Sequence, residues 1–142
     1  MKDTLDTAIP ECMDAILHKM RLAQVRFSFI DGDATLYTDN ILYIESQKHK
    51  SYFYYMQPGL VNSVTARTGV VTYQIYEKLD LIEQKLSEHG FLRIHKSYLV
   101  NIKHIRRLNN YTAFLDTGEE LPVPRVRYQS VRELFVAHKG AL

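Results

Sequence analysis

Tryptophan is absent from this chain, and cysteine occurs once, at Cys12. One thiol makes no internal disulfide and no thiolate metal site, which excludes a disulfide framework and fits a reducing cytoplasm. Long apolar runs are missing as well. Nothing approaches the roughly 20 residues that carry a helix across a bilayer. The start, MKDTLDTAIPE, lacks the apolar stretch of a signal peptide. No membrane partner is therefore expected. The common catalytic templates are missing too: there is no GxGxxG, GxxxxGK[ST], HExxH or CxxC. The histidines (His18, His49, His89, His95, His104 and His138) include no pair at a convincing helical ligand spacing. Asp31 and Asp33 flank a glycine, which is turn chemistry rather than a catalytic pair. The expectation is a protein that is not an enzyme and uses no cofactor.

What is present is a chain of 142 residues, 46% hydrophobic, with 10 Tyr and 6 Phe. That supports one domain with a real core. Short runs of β-branched and aromatic residues favour strands. Residues 9–22, IPECMDAILHKMRL, have the apolar spacing of a short amphipathic helix, with Pro10 at its start. Residues 1–24 are accordingly expected to be an amphipathic helix or linker, and 25–142 the domain. VRFSFI alternates, placing Val25, Phe27 and Phe29 on one side. ATLYT, ILYIES and SYFYYM follow as strands, with a polar loop QKHK at 47–50, and TARTGVVTY gives a further strand. IYEKLDLIEQKLSEHG (75–90) predicts a helix with Ile75, Leu79, Ile82 and Leu86 on one face and Gly90 as its stop. NIKHIRRL and YTAFLDT read as a hairpin, ELPV as a short strand, and PRVRYQSVRELFVAHKG as a closing helix. Neighbouring strands with tight turns imply a mainly β fold of short antiparallel strands with a few short helices.

Net charge is only +2, but it is unevenly spread. Residues 91–142 have nine Lys/Arg and four acids, whereas 1–90 have nine bases and twelve acids. The stretch FLRIHKSYLVNIKHI (91–105) has Arg93, His95, Lys96, Lys103 and His104 and no carboxylate. Gln47–Lys50, His95–Lys103 and Arg125–Arg132 are polar stretches at the ends of regular elements. Such a basic surface suits an anionic partner. Duplex DNA is one; an acidic protein, met by a non-catalytic interaction module, is the alternative.

ILYIES (41–46), FLRIHKSYLVNIKHI (91–105) and LPVPRVRY (121–128) resemble the LytTR DNA-binding domain, the output domain of bacterial response regulators. The resemblance covers about residues 25–138. It implies an elongated arrangement of short antiparallel strands. Loops would enter successive major grooves of double-stranded DNA, with paired repeats bound by two protomers. It implies base contacts from His49, Asn101 and either Arg125 or Arg127. Lys48, Lys50, Lys96, Lys103 and Arg106 would hold phosphates. Lys96 stands where the family usually has Arg, so it meets phosphate as a point charge without a bidentate fork. Arg93 and His95 are signature positions, and His95 is expected to support the loop. Pro124 replaces a serine usual in the family and removes a hydroxyl cap from the last helix. Residues 52–75 are longer than the family norm, suggesting an enlarged hairpin. About 24 residues precede Val25, too few for a receiver domain. The chain is therefore expected to be a free-standing regulator or a C-terminal piece, with a receiver domain or sensor as a separate partner.

Overall fold

In the computed structural model, residues 23–57 and 69–140 are described. The expected helix at 9–22 lies outside them. Strands β1 (Gln24–Phe29) and β2 (Gly32–Tyr37) form a hairpin. β3 (Ile41–Gln47), β4 (Lys50–Met56), β5 (Val70–Ile75), β6 (Phe91–His95) and β7 (Tyr98–Asn101) form a five-stranded antiparallel sheet in the order β5-β4-β3-β7-β6. β8 (Ile105–Asn109), β9 (Thr112–Leu115) and β10 (Glu120–Pro122) make a three-stranded sheet. Helix α1 (Leu79–Lys85) joins β5 to β6, and helix α2 (Arg125–Gly140) closes the described chain. The fold is mainly β and antiparallel, as the strand-turn-strand pattern implies.

The central sheet is covered on both faces. One core gathers Phe27, Phe29 and Leu36 from the first hairpin, Ile44 and Phe53 from the sheet, and Leu79, Ile82 and Leu86 from the α1 region. The other gathers Leu42, Val100, Ile105, Leu115, Leu121 and Val131. A strand buried on both sides reads as a continuous apolar run instead of an alternation. This explains Ile41-Leu42-Tyr43-Ile44, all buried, with a bulge between Ile41 and Tyr43 letting two successive side chains share a face. The alternation of β1 does hold: Phe27 and Phe29 are buried and pack edge-on against Phe53 at 5.0 and 5.1 Å between ring centres.

The helix expected at 75–90 is shorter. Pairing of Ile75 with Ser51 draws it into β5, and α1 begins only at Leu79. Its apolar face is as expected, since Ile75, Leu79, Ile82 and Leu86 are all buried. Gly90 adopts φ +78°, the left-handed geometry that glycine enters without strain, and turns the chain into β6. Residues 101–104 are not continuous strand: Ile102–His104 is a single 3₁₀ turn before β8. β4 and β5 pair directly from Ser51↔Ile75 to Met56↔Val70, and their connection at 58–68 lies outside the described residues.

Candidate nucleic-acid interface

Two hairpin tips meet at one end of the central sheet. The β3–β4 turn is Lys48-His49, closed by pairing of Gln47 with Lys50. Lys48 has φ +55°, a conformation that costs a non-glycine residue about 1 kcal/mol. Such a place ordinarily goes to Gly or Asn, so the chain presents a cation there against its conformational preference. The β6–β7 turn is Lys96-Ser97, tied to β3 by a bond from the Ser46 N–H to the Ser97 carbonyl at 2.8 Å. Lys48, His49 and Lys96 are exposed, and Lys50 is half-buried.

Arg93 organises this end. Its Nε donates to the His95 carbonyl at 3.0 Å and its Nη2 to the Lys96 carbonyl at 2.6 Å. Its Nη1 meets Asp80 at 2.9 Å and Glu83 at 2.8 Å. The guanidinium therefore clamps the Lys96 turn onto α1. Its backbone carbonyl in turn accepts from Arg127 Nη1 at 3.2 Å, which seats the first turn of α2 beside β6. The structure thus brings Lys48, His49, Lys50, Lys96 and Arg127 around one hub.

His95 supports the turn, as expected: its Nδ1 accepts from the Ser97 N–H at 3.0 Å. Burial lowers its pKa, and Lys96, Arg127 and Arg93 lower it further. Between that lowered value and the ordinary ~6.5, the unfolded chain holds a proton that the folded chain does not. Stability is therefore expected to rise with pH across this window and to fall on acidification through it. Urea unfolding between pH 5 and 7 checks this, with His95→Gln showing a flatter profile than wild type.

Asn101 is a correction. It is 1% exposed, not at the surface with His49 and Arg125. Its Nδ2 donates to the carbonyls of Thr38 and Ile41, both at 3.0 Å, and its Oδ1 accepts from the Lys103 N–H at 3.1 Å. Both amide hydrogens are used and the side chain is walled in, so it cannot meet a base edge in this fold. It caps the 3₁₀ turn and locks it to the Thr38–Asn40 turn.

The remaining expected residues lie elsewhere. Lys103 follows the far end of β7 and pairs with Asp39 at 2.5 Å. Arg106 is exposed on β8. Arg125 is exposed, with its guanidinium 5.1 Å from the ring centre of Tyr111 in the β8–β9 turn.

The counter-charges missing from FLRIHKSYLVNIKHI come from distant segments. Asp80 and Glu83 face Arg93 and Asp39 faces Lys103, while the His104 ring lies within hydrogen-bond distance of Asp116 at 3.1 Å. Glu45, near the same tip, accepts from the hydroxyls of Tyr54 at 3.0 Å and Tyr98 at 3.5 Å. Among the described residues, no carboxylate lies within 4.0 Å of Lys48, Lys50 or Lys96. Among the described residues, the lysines of the hairpin tips are thus left without an ion pair. The sequence pattern did not reveal the loop between β5 and α1. It brings Tyr76, 69% exposed, and Lys78 against the β3–β4 turn.

The family model described as the LytTr DNA-binding domain matches residues 33–136. The sensory transduction protein LytT of Bacillus anthracis is 32% identical over 83 residues, covering 54% of this chain and 34% of that protein. LytT of Bacillus subtilis (strain 168) is 28% identical over 77 residues, 51% of this chain and 32% of that one. The transcriptional regulatory protein LytR of Staphylococcus aureus (strain N315) is 36% identical over 73 residues, 47% of this chain and 30% of that one. The matches thus span about a third of the length of these relatives. A solved LytTr DNA-binding domain from Bacillus cereus aligns with a TM-score of 0.59 at 23% identity, covering 79% of this chain and 95% of that one, a likeness of fold.

Proposed function

Because the chain belongs to the LytTr DNA-binding domain family, we propose that it is a sequence-specific, double-stranded DNA-binding transcription regulator that reads the major groove with side chains from its loop tips. The observation that carries this reading is the cluster of cations at the two hairpin tips, assembled around Arg93, whose lysines have no carboxylate within 4.0 Å among the described residues. A duplex presents a row of phosphates on either side of a groove, and ammonium groups on rigid turns suit it.

Within this reading, Lys48, Lys50 and Lys96 grip phosphates beside the groove. His49 at the β3–β4 tip offers the base edges an imidazole donor and acceptor. Arg127, positioned by the Arg93 carbonyl, offers its remaining guanidinium donors to a guanine edge. Arg125, on the Tyr111 side of the same helical turn, reads or grips the next position. Lys103 and Arg106 serve the backbone further along, Lys103 less strongly because of Asp39. Residues 25–142 form the DNA-binding unit, two protomers occupy paired repeats, and a receiver domain or sensor supplies the signal.

His49→Ala tests the base-reading role. With an operator selected from a random pool, affinity is expected to fall by about 1–3 kcal/mol. Binding to random duplex should hardly change, because non-specific affinity is dominated by phosphate contacts. Equal losses on the two sequences in fluorescence-anisotropy titrations would remove His49 from the reading surface.

A further inference from the structure

Between the β3–β4 turn and the β5–α1 loop lies a cleft of about 340 Å³. Its walls hold Lys48 and Lys50 on one side and Tyr76 and Lys78 on the other. The Lys50 ammonium sits 5.5 Å from the centre of the Tyr76 ring, so the two walls are in contact. Ser51 Oγ donates to the Glu77 carbonyl at 2.8 Å, fixing the loop to β4. Two carboxylates also line the cleft, Glu77 and Asp80, and both are engaged. Glu77 pairs with Lys85 at 2.8 Å, and Asp80 with Arg93 at 2.9 Å. Among the described residues, the ammonium groups of Lys48, Lys50 and Lys78 have no carboxylate within 4.0 Å. The cleft therefore carries an excess of positive charge on a rigid frame, with the exposed Tyr76 in its wall.

We propose that this cleft is a phosphodiester site: Lys78 and Tyr76 form a further contact loop that takes a backbone phosphate of the duplex beside the strand held by Lys48 and Lys50. The inference rests on the DNA-binding reading above. It gives the β5–α1 loop a part in DNA binding that neither its sequence nor its place in the fold class suggests. Lys78 supplies a mobile point charge, and the Tyr76 hydroxyl supplies a donor held in place by the Lys50–ring contact.

The test uses the full chain and two duplexes, the selected operator and a random sequence, titrated from 50 to 300 mM salt. Lys78→Ala is expected to lower the slope of log K against log salt by about 0.9, an approximately eightfold loss at 0.1 M salt, alike on both duplexes. Tyr76→Phe keeps the ring under Lys50 and is expected to give a smaller loss with the slope unchanged. Wild-type slopes in Lys78→Ala, alongside a reduced slope when Lys48, Lys50 and Lys96 are removed, would overturn the cleft and leave the DNA reading standing. A wild-type chain that shows no salt-dependent duplex binding would instead sink the DNA reading itself. Inorganic phosphate, added at constant ionic strength, separates the two sources of the ligand. If it displaces duplex from wild type but not from Lys78→Ala, anion and backbone share the site as proposed; if it binds wild type through Lys78 yet leaves duplex affinity unchanged, the site is one for a small anion and the assignment to the backbone fails.

Discussion

Asn101→Ala is expected to lower the unfolding free energy by about 2–4 kcal/mol, because it strips partners from two buried carbonyls and one half-buried N–H, and each buried unsatisfied group costs about 1–3 kcal/mol before relaxation. The groups are the carbonyls of Thr38 and Ile41 and the N–H of Lys103. The two carbonyls belong to the turn after β2 and the first residue of β3, and Asn101 ends β7. One side chain thus staples the first hairpin's exit and the start of β3 to the end of the neighbouring strand β7. Water cannot replace it readily, since the residue is 1% exposed. Asn101→Asp should also destabilise, because a carboxylate there has no donor hydrogens for the two carbonyls and is costly to bury charged. Urea unfolding reads the loss as a lower midpoint at constant m. The rival role, a base contact, predicts the reverse: an unchanged midpoint and a loss confined to cognate DNA. If Asn101→Ala gave that result, the buried placement of the amide would be wrong.

The same residue shows where sequence reasoning stops. The fold class was legible because alternation and turn residues are local: Phe27 and Phe29 share a face whatever else the chain does. The apolar face of α1 was legible for the same reason, but its first turn was not. Helical spacing from Ile75 competes with a strand pairing to Ser51, and only the fold decides that contest in favour of the sheet. Asn101 ends a strand next to Lys103, and in isolation an asparagine beside a basic run reads as exposed. Its burial depends on Thr38 and Ile41, far away in the chain. The charge pattern misled in a similar way. FLRIHKSYLVNIKHI contains no acid, yet Asp80, Glu83 and Asp39 neutralise much of it from other elements. Sequence identified the cations; the fold separates the paired ones from the unpaired ones. Lys96, Lys48, Lys50 and, on β8, Arg106 remain from the expected phosphate set, and Lys78 joins the three lysines only because the β5–α1 loop folds back against the β3–β4 turn.

That separation sets the largest expected effect on DNA binding. Replacing Lys48, Lys50 and Lys96 together with alanine should reduce the slope of log K against log salt by about 2.7, close to 0.9 for each phosphate that is no longer neutralised. With affinities extrapolated to 1 M salt unchanged, that is a loss of about 500-fold at 0.1 M, on operator and random duplex alike. Lys103→Ala is the control for charge alone. It removes the same formal charge from the same chain, but its ammonium already faces Asp39 at 2.5 Å. Releasing a counterion from a lysine that is half neutralised yields less, so its slope should change by clearly less than 0.9. The comparison therefore distinguishes net charge from placement. If the interface were a general basic surface, each lysine would contribute alike, and Lys103→Ala would match one third of the triple variant. If the interface is the pair of hairpin tips, the triple variant loses most of the salt dependence and Lys103→Ala keeps nearly all of it. A triple variant with an unaltered slope would move the DNA to another face of the molecule, and the assignment of the two tips would fall with it.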